Sequence, residues 1–424
     1  MIGFLFKGIL RDRSRSLFPF LIVLAGVFLT VAMYGYIKGM ETSVIRFNAN
    51  LRSGHVKVMT RAYAKEAEQL PNDLALMEIS SLIADLQKAY PGFAWMPRIQ
   101  FGGLLDIPDD QGETKAQAPV AGLAADLLTP SSQESRLLDL QKVLVRGHLP
   151  QKAGEILISD ELAQKLKVNL GEKATLISST MHGSMTMKNF TVAGTIRFGI
   201  RAMDRTGIIA DLADIQDALD MRDAAGEVLG FSSDGIYRQD KADEMARAFN
   251  ARFSGKDDSF LPVMQTLAEQ PGMNIMIGWL KYATSFIFLI FLVPMSLVLW
   301  NAGLIGSLRR HGEYGLRLAI GEDKGHVYRS MIAESLTIGI LGSIAGTALG
   351  LALSYYLQIK GIDISSMMKN ITMMMPTVLH SQITPVSFVI GFIPGLLASI
   401  SGTAIAGLRI YKRQTSQLFK ELET

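Results

Sequence analysis

Four stretches of the sequence run without a charged side chain for about twenty residues or more, which is the length a helix needs to cross a bilayer. They lie at Leu17–Tyr36, Tyr282–Leu304, Ser335–Leu357 and Pro385–Leu408. Pro294 and Pro394 fall inside the second and fourth stretches. Proline is tolerated in lipid-embedded helices, so these two residues are expected to kink the helices without ending them.

Basic residues flank these stretches unevenly. Short cytoplasmic loops collect Lys and Arg, so the basic groups indicate which ends face the cytoplasm. The loop from Gly361 to Ile383 contains a single Lys or Arg, Lys369, which is offset by Asp363. Four crossings with both termini inside place all the basic groups on one side. These groups are Lys7, Arg11, Arg13 and Arg15, then Arg309, Arg310, Arg317, Lys324 and Arg329, and finally Arg409, Lys412, Arg413 and Lys420.

The sequence therefore predicts an α-helical membrane protein with four transmembrane helices and an α+β extracytoplasmic domain. The first apolar core is longer than that of a signal peptide and no small-x-small cleavage site follows it, so it is interpreted as an uncleaved anchor. The predicted parts are a cytoplasmic N-terminus (1–16), helix one (17–40), the external domain (41–278), helix two (279–306), a cytoplasmic loop (307–330), helix three (331–358), an external loop (359–383), helix four (384–408) and a cytoplasmic tail (409–424).

The external region has the pattern of a folded domain. Alternation predicts a strand at 55–60 and another at 98–107, and the apolar spacing of Ile79, Leu82, Ile83 and Leu86 predicts a helix between them. A second amphipathic helix is expected around Ala242–Phe253. Strands beside both helices suggest two split β-α-β units over one sheet. A mostly β insertion is expected at about 143–211, with strands at 155–159, 174–178 and 190–194.

The first membrane helix is expected to continue beyond the lipid. Met40, Val44, Phe47 and Leu51 keep helical spacing after Lys38. A helix that reaches about Leu51 would form a stalk between membrane and domain. The approach to the second span, 273–280, is a candidate partner for that stalk.

Nothing in the sequence points to catalysis. The six histidines form no H-E-x-x-H pair, and no G-x-x-x-x-G-K-[ST] motif is present. The absence of Cys excludes disulfides and thiolate metal sites, and a net charge of +3 does not indicate a nucleic-acid partner. No catalytic, metal or cofactor site is therefore predicted, and any ATP that drives the protein must bind another subunit.

The cytoplasmic loop carries the most informative motif. Leu308, Leu316 and Ile320 would form one apolar edge of a short helix, opposite a charged edge that contains Glu313 and Arg317. Such a helix could dock into a cytoplasmic partner, or it could lie along the membrane and only anchor the loop. The candidate partner-binding residues are Arg309, Arg310, Glu313, Tyr314, Arg317 and Gly321.

Small residues recur at every fourth position in the last two spans. Such faces let helices approach closely in lipid, either within the chain or at a subunit interface. Glu334 begins the third span, where a helix N-terminus would favour its negative charge. The packing candidates are Gly342, Gly346 and Gly350 in the third span and Gly391 and Gly395 in the fourth.

The order of these motifs resembles the FtsX/MacB family of ABC transporter permeases. The run from Arg309 to Gly321 followed by Glu334 is similar to the cytoplasmic signature of that family. Ser53-Gly-His-Val-Lys-Val58, Val120-Ala-Gly122, Arg146-Gly-His-Leu-Pro150 and Gly154-Glu-Ile-Leu-Ile-Ser159 resemble its MacB-type periplasmic core. The Ser-Gly-His-Val run and the four-span layout look most like the lipoprotein-releasing permeases LolC and LolE.

The resemblance implies a specific kind of machine. A dimer of permeases, with the same or a homologous second chain, would bind two ABC ATPase subunits that hold ATP and Mg²⁺. The helix at about 308–320 would be the coupling helix, and a periplasmic carrier or adaptor is a further expected partner. The implied cargo is a lipoprotein or lipid-linked substrate in the inner membrane. MacB-like efflux of drugs or peptides, and FtsX-like regulation of cell-wall hydrolases, stay open as alternatives.

Overall fold

The computed structural model describes residues 13–109, 111–199, 201–255, 258–308, 311–363 and 378–412. These residues form two compact units. The four-helix unit comprises 13–43, 278–363 and 378–412, and the sheet unit comprises 44–277. The chain begins with helix α1, Arg13–Asn48, which continues as a π-helical turn, Ala49–Ser53. The predicted continuation of the first helix to about Leu51 is thus confirmed.

The sheet unit alternates strands with short helices. Its strands are β1 Val56–Thr60, β2 Leu76–Met77, β3 Phe93–Pro108, β4 Thr114–Ala125, β5 Leu144–Gly147, β6 Glu155–Ser159, β7 Lys173–Ser179, β8 Met185–Ile196, β9 Gly207–Asp211, β10 Ala224–Ala225, β11 Glu227–Ser232 and β12 Pro262–Thr266. Its helices are α2 Arg61–Glu66, α3 Ile79–Ala89, α4 Glu134–Leu137, α5 Leu140–Val143, α6 Asp160–Leu166, α7 Arg201–Thr206, α8 Leu212–Ala218 and α9 Gln239–Ala251.

The two predicted split β-α-β units are confirmed by the strand order at one end of the sheet. The neighbours there are β12, β1, β11 and β3, each antiparallel to the next. Strand β11 lies between β1 and β3, and β1 lies between β11 and β12, so the two units interleave. Helices α3 and α9 place Ile79, Leu86, Met245 and Phe249 in the same apolar core as Val58.

The β-rich segment extends this sheet and does not form a separate one. The first half of β3 pairs with β11, while its second half pairs with β4 on one side and β7 on the other. Strands β9, β6, β8 and β5 continue the order from β4. One 16-residue strand therefore belongs to both parts, and this length was hidden by Pro97 and the Gly102-Gly103 pair.

The four-helix unit contains the remaining elements. Its segments after α1 are α10 Met273–Leu308, α11 His311–Ala319, α12 Lys324–Lys360, a two-residue pairing of β13 Ile362–Asp363 with β14 Val378–Leu379, a 3₁₀ turn Pro385–Phe388, a π-helical turn Ile393–Ala398, and α13 Ser399–Lys412. Within the described residues, four segments are long and apolar enough to cross a membrane: Leu17–Ser53, Met273–Gly306, Lys324–Lys360 and Pro385–Leu408.

Two of these segments differ from their predicted form. Helix α12 begins at Lys324, ahead of the predicted Met331, because the Asp323 side chain caps it by accepting hydrogen bonds from the Gly325 and His326 amides. The last segment is not one regular helix. Pro394 has no N–H to give to the helical ladder, and a π-helical turn starts beside it at Ile393. Helix α10, by contrast, runs through Pro294.

Candidate functional site

Helix α11 lies in the loop between two membrane-length helices. It packs against the start of α12 through Tyr314, which is 5% exposed and contacts Val327, Met331 and Leu318. Gly321 ends the connection with φ of 98°, a conformation that favours glycine. One face of α11 is therefore fixed to the helix bundle, and the other is left to solvent or to a partner.

The other face combines apolar and charged side chains. Leu316 and Ile320 are 55% and 78% exposed. Beside them, Arg317 donates to Glu313 one turn earlier at 2.9 Å. Large exposed aliphatic groups beside polar groups are typical of a protein or membrane contact. Both alternatives from the sequence, docking and anchoring, fit this surface.

Among the other candidate residues of this loop, some lie outside the described residues and one is buried. Arg309 and Arg310 lie outside the described residues. The side chain of Leu308, the third member of the predicted apolar edge, is also outside the description. Tyr314, predicted as a partner contact, is instead buried against α12. Its position between two glycines, Gly312 and Gly315, gave no signal that this ring would anchor the helix.

The small-residue faces pack against a ridge of valines on α1. A Cβ placed on Gly342 would lie 2.7 Å from Val23 Cγ1, one on Gly346 would lie 2.8 Å from Val27 Cβ, and one on Gly350 would lie 2.8 Å from Val31 Cβ. Cβ atoms do not approach so closely, so only glycine permits this contact. In the fourth segment, Gly391 and Gly395 also face Val27. The glycine faces thus mediate packing within the chain.

The same contacts give the directions of the helices. Val23, Val27 and Val31 meet Gly342, Gly346 and Gly350 in the same order, so α1 and α12 run parallel. Helices α1 and α10 run antiparallel, as shown by Gly26 against Leu299, the Tyr34–Phe288 ring pair and Thr284 against Glu41. The final segment is antiparallel to α12, as shown by Thr347 against Gly391 and Ser335 against Thr403.

Glu334 does not stand at a helix N-terminus, so that interpretation is wrong. The cap of α12 is Asp323, and Glu334 lies well inside the helix. It lines a cavity of about 60 Å³ together with Tyr314 and hydroxyl-bearing residues of α12 and α13. Thr403 donates to Ser335 at 3.1 Å, and Ser335 lies 3.3 Å from Ser399. Ser399 and Thr403 belong to the small-residue stripe of the fourth stretch, but neither residue gave a sequence signal for this hydroxyl cluster.

The described residues include no group of three or more His, Asp or Glu side chains that could hold a metal ion. His55, in the Ser-Gly-His-Val run, has a structural environment. It is 2% exposed, its Nδ1 accepts from the Ser232 amide at 3.0 Å, and its ring packs against Phe231 and Tyr237. Burial lowers the pKa of His55 to about 4, although Asp234 acts in the opposite direction.

Comparison with known families gives a match in the part of the chain that contains α11 and the valine-facing glycines. Residues 285–415 match the family model described as FtsX-like permease C-terminal. The matched residues contain most of α10 and all of α11, α12 and α13, so this part of the four-helix unit is similar to an FtsX-like permease domain.

Two relatives extend the similarity. The lipoprotein-releasing system transmembrane protein LolC of Xylella fastidiosa strain 9a5c is 24% identical over 255 residues, and that of strain Temecula1 is 23% identical over 256. The chain spans 58% of the length of these curated relatives, and the match covers 58% of this chain. The crystal structure of the periplasmic region of MacB from Actinobacillus actinomycetemcomitans has a TM-score of 0.35 and 10% identity, over 55% of this chain and 96% of that one. Over the matched segments, the chain is therefore similar to FtsX-like permeases and to the LolC proteins.

Proposed function

We propose that this chain is the non-catalytic membrane subunit of an ABC transporter, and that a partner ATPase binds the ATP and Mg²⁺. The observation that carries the proposal is the structure of α11. Tyr314 fixes the helix to the bundle, while Leu316, Ile320 and the Glu313–Arg317 pair face outward. A rigidly anchored helix with an exposed apolar edge can transmit the motion of a docked ATPase to the helices beside it.

The proposed topology places the chain in the inner membrane with both termini in the cytoplasm and the sheet unit in the periplasm. Three features support it. The basic groups cluster at α11 and at both termini. The four segments are apolar and long enough. Their alternating directions, with α1 parallel to α12, are those of successive crossings.

The cargo we propose is a lipoprotein or a lipid-linked substrate of the inner membrane. Its support is the name of the two relatives, each a transmembrane protein of a lipoprotein-releasing system. The proposed assembly has two permease chains, the second either identical or homologous, and two ATPase subunits. Only 11% of the residues in the most apolar stretch of α10 are buried, which leaves a face for lipid or a second permease. A periplasmic carrier or adaptor would receive the substrate.

The test of the proposal is complementation of a deletion strain, with lipoprotein location as the readout. Loss of the chain should leave lipoproteins in the inner membrane, and the wild-type gene should restore sorting. Leu316→Asp or Ile320→Asp should abolish restoration and co-purification of the ATPase. Met185→Asp is the matched control, because Met185 is an equally exposed apolar residue, 76% accessible, in the sheet unit.

Other outcomes of this experiment exclude parts of the proposal. Normal lipoprotein sorting in the deletion strain would reject the cargo. Drug or peptide sensitivity in that strain would indicate an efflux permease, and capture of a cell-wall hydrolase by the sheet unit would indicate an FtsX-like regulator. Full activity of both the Leu316 and the Ile320 variants would reject the docking surface.

A further inference from the structure

The π-helical turn at the end of α1 is bound to the rest of the sheet unit by buried side chains. Arg98, in β3, is 1% exposed and its Nη1 donates to the carbonyl of Leu51 at 2.8 Å. The other side of the same guanidinium binds both carboxylate oxygens of Glu134, at 2.8 and 2.6 Å. A forked, planar cation can serve two partners at once in fixed directions, which a lysine cannot do.

A second buried bond acts on the same turn. Gln270 Nε2 donates to the carbonyl of Ser53 at 2.8 Å, and Gln270 is 6% exposed. Gln270 shortly precedes Met273, where α10 begins. The bond therefore joins the chain that leaves α1 to the chain that enters α10.

The backbone after the turn is also specialised. Gly54 has φ of 61° and ψ of 179°, and a Cβ there would lie 2.6 Å from the Val56 carbonyl oxygen. Only glycine adopts this conformation readily. Its amide donates to the Ala49 carbonyl at 2.8 Å, and the next amide, of His55, pairs with Gly230 in the sheet. The residues that connect the turn to β1 are thus held by backbone hydrogen bonds.

We propose that Arg98 and Gln270 are positioning residues that make this turn a fixed joint between the sheet and the parts of α1 and α10 that belong to the sheet unit, residues 44–48 and 273–277. The inference rests on the proposed function, because it assigns the joint to the transmission of motion across the membrane. The energetic argument is that moving the turn would leave the buried Leu51 carbonyl and the buried Nη1 of Arg98 without their hydrogen bond, while the Arg98–Glu134 ion pair stays in place.

The chain offers a matched control for a test. Lys57 and Glu227 form another buried ion pair in the same sheet, 2.8 Å apart and 6% and 3% exposed. Among the described residues, the hydrogen bonds of this pair go to each other and to Gln100, and not to Leu51 or Ser53. The double variants Arg98→Met with Glu134→Leu, and Lys57→Met with Glu227→Leu, each remove a complete pair and leave no isolated buried charge.

The first measurement is hydrogen exchange of the full-length permease in nanodiscs, at the amides of residues 50–54. We expect at least tenfold faster exchange in the Arg98 double variant and in Gln270→Leu, and less than twofold change in the Lys57 double variant. Arg98→Lys should keep the wild-type melting temperature. Its amide exchange at the turn should nevertheless be as fast as in the Arg98 double variant. Unchanged exchange in the Arg98 double variant, or equal acceleration in the Lys57 double variant, would contradict the proposal that Arg98 holds the turn.

The second measurement uses the permease with its ATPase in membranes and separates the joint from the proposed function. The Arg98 double variant should lose at least tenfold in lipoprotein release while ATP hydrolysis stays within twofold. If release and hydrolysis are both unchanged, the joint does not transmit motion. If the wild type releases nothing, the proposed function fails, and the exchange measurement alone decides whether Arg98 and Gln270 hold the turn.

Discussion

His55 shows how one residue links the fold to pH. Its pKa is lowered to about 4 by burial, from an ordinary value of 6.5. Between these two values the unfolded chain binds a proton that the folded chain does not, so stability rises with pH through this window and falls on acidification. The difference between the two pKa values corresponds to about 3 kcal/mol in the free energy of unfolding. This stability is fully present above pH 6.5 and is lost by about pH 4. The melting temperature of the full-length protein should fall accordingly.

The matched variant for this prediction is His55→Asn. Its side-chain oxygen can accept the Ser232 amide in place of Nδ1, but it does not titrate. The variant should show a flatter melting curve between pH 6.5 and 4.5. The carboxyl of Asp234 forms an ion pair with Arg238 and its pKa is lowered to about 2, so it titrates below this window. Equal pH dependence in the two proteins would show that His55 is not the titrating group.

At the scale of the element, α11 offers a charge test that does not depend on folding. An exposed i,i+4 pair such as Glu313–Arg317 contributes only about 0.3–0.5 kcal/mol to a helix. Glu313→Arg or Arg317→Glu should therefore leave the permease folded but lower the affinity for the ATPase about tenfold, or about 1.4 kcal/mol. Titration of the purified ATPase onto the permease in nanodiscs measures this change.

The double variant Glu313→Arg with Arg317→Glu separates two explanations. It restores the ion pair within α11 but reverses the charges that a partner meets. If the charges contact the ATPase, the double variant should bind as poorly as the single variants. Recovery of wild-type affinity would mean that the pair only supports the helix.

The contact between α1 and α12 gives a prediction about packing. Gly346→Ile would place a branched side chain where Val27 and the Leu24 carbonyl now lie, with the latter 2.6 Å from a Cβ. Overpacking of this kind costs about 1–3 kcal/mol. The thermal midpoint of the monodisperse fraction in detergent should fall, whereas Ala348→Ile, on the exposed side of the same helix, should have little effect. Equal midpoints for the two variants would contradict the valine–glycine contact.

Elements defined by local patterns could be predicted from the sequence. Apolar length gave the membrane-length segments, and alternation with helical spacing gave β1, α3, β3, β6 and α9. Asp323 had the signature of a helix cap and would have given the start of α12. The regular spacing of Val23, Val27 and Val31 was also visible in the sequence. It did not by itself predict that α12 packs against these valines.

Features that depend on distant residues could not be predicted. Arg98 and Glu134 pair across 36 positions, and neither residue type indicates burial. The length of β3 follows from β11, β4 and β7 all pairing with it, which no local pattern specifies. For the same reason the Glu334 environment was misplaced, because its cavity is assembled from residues of α1, α10, α11, α12 and α13.

At the scale of the whole molecule, the proposed topology makes α11 and the sheet unit face opposite compartments. The chain has no Cys, so single-cysteine variants can be labelled without background. Ala319→Cys in α11 and Lys165→Cys in α6 are at exposed positions. In intact spheroplasts an impermeant maleimide should label the Lys165 variant and leave the Ala319 variant unlabelled until detergent is added.

The pairing of these two sites makes the result depend on the number of crossings between them. Of the four segments, only α10 lies between residues 165 and 319, so one crossing puts the two sites on opposite sides of the membrane. A third variant, Ser401→Cys in the exposed part of α13, controls for lipid shielding. The same result at Lys165 and Ala319, whether labelling or protection, would remove α10 as a span, and protection of Lys165 with labelling of Ala319 would invert the proposed topology. Either result would also remove the route by which an ATPase docked at α11 could act on the sheet unit.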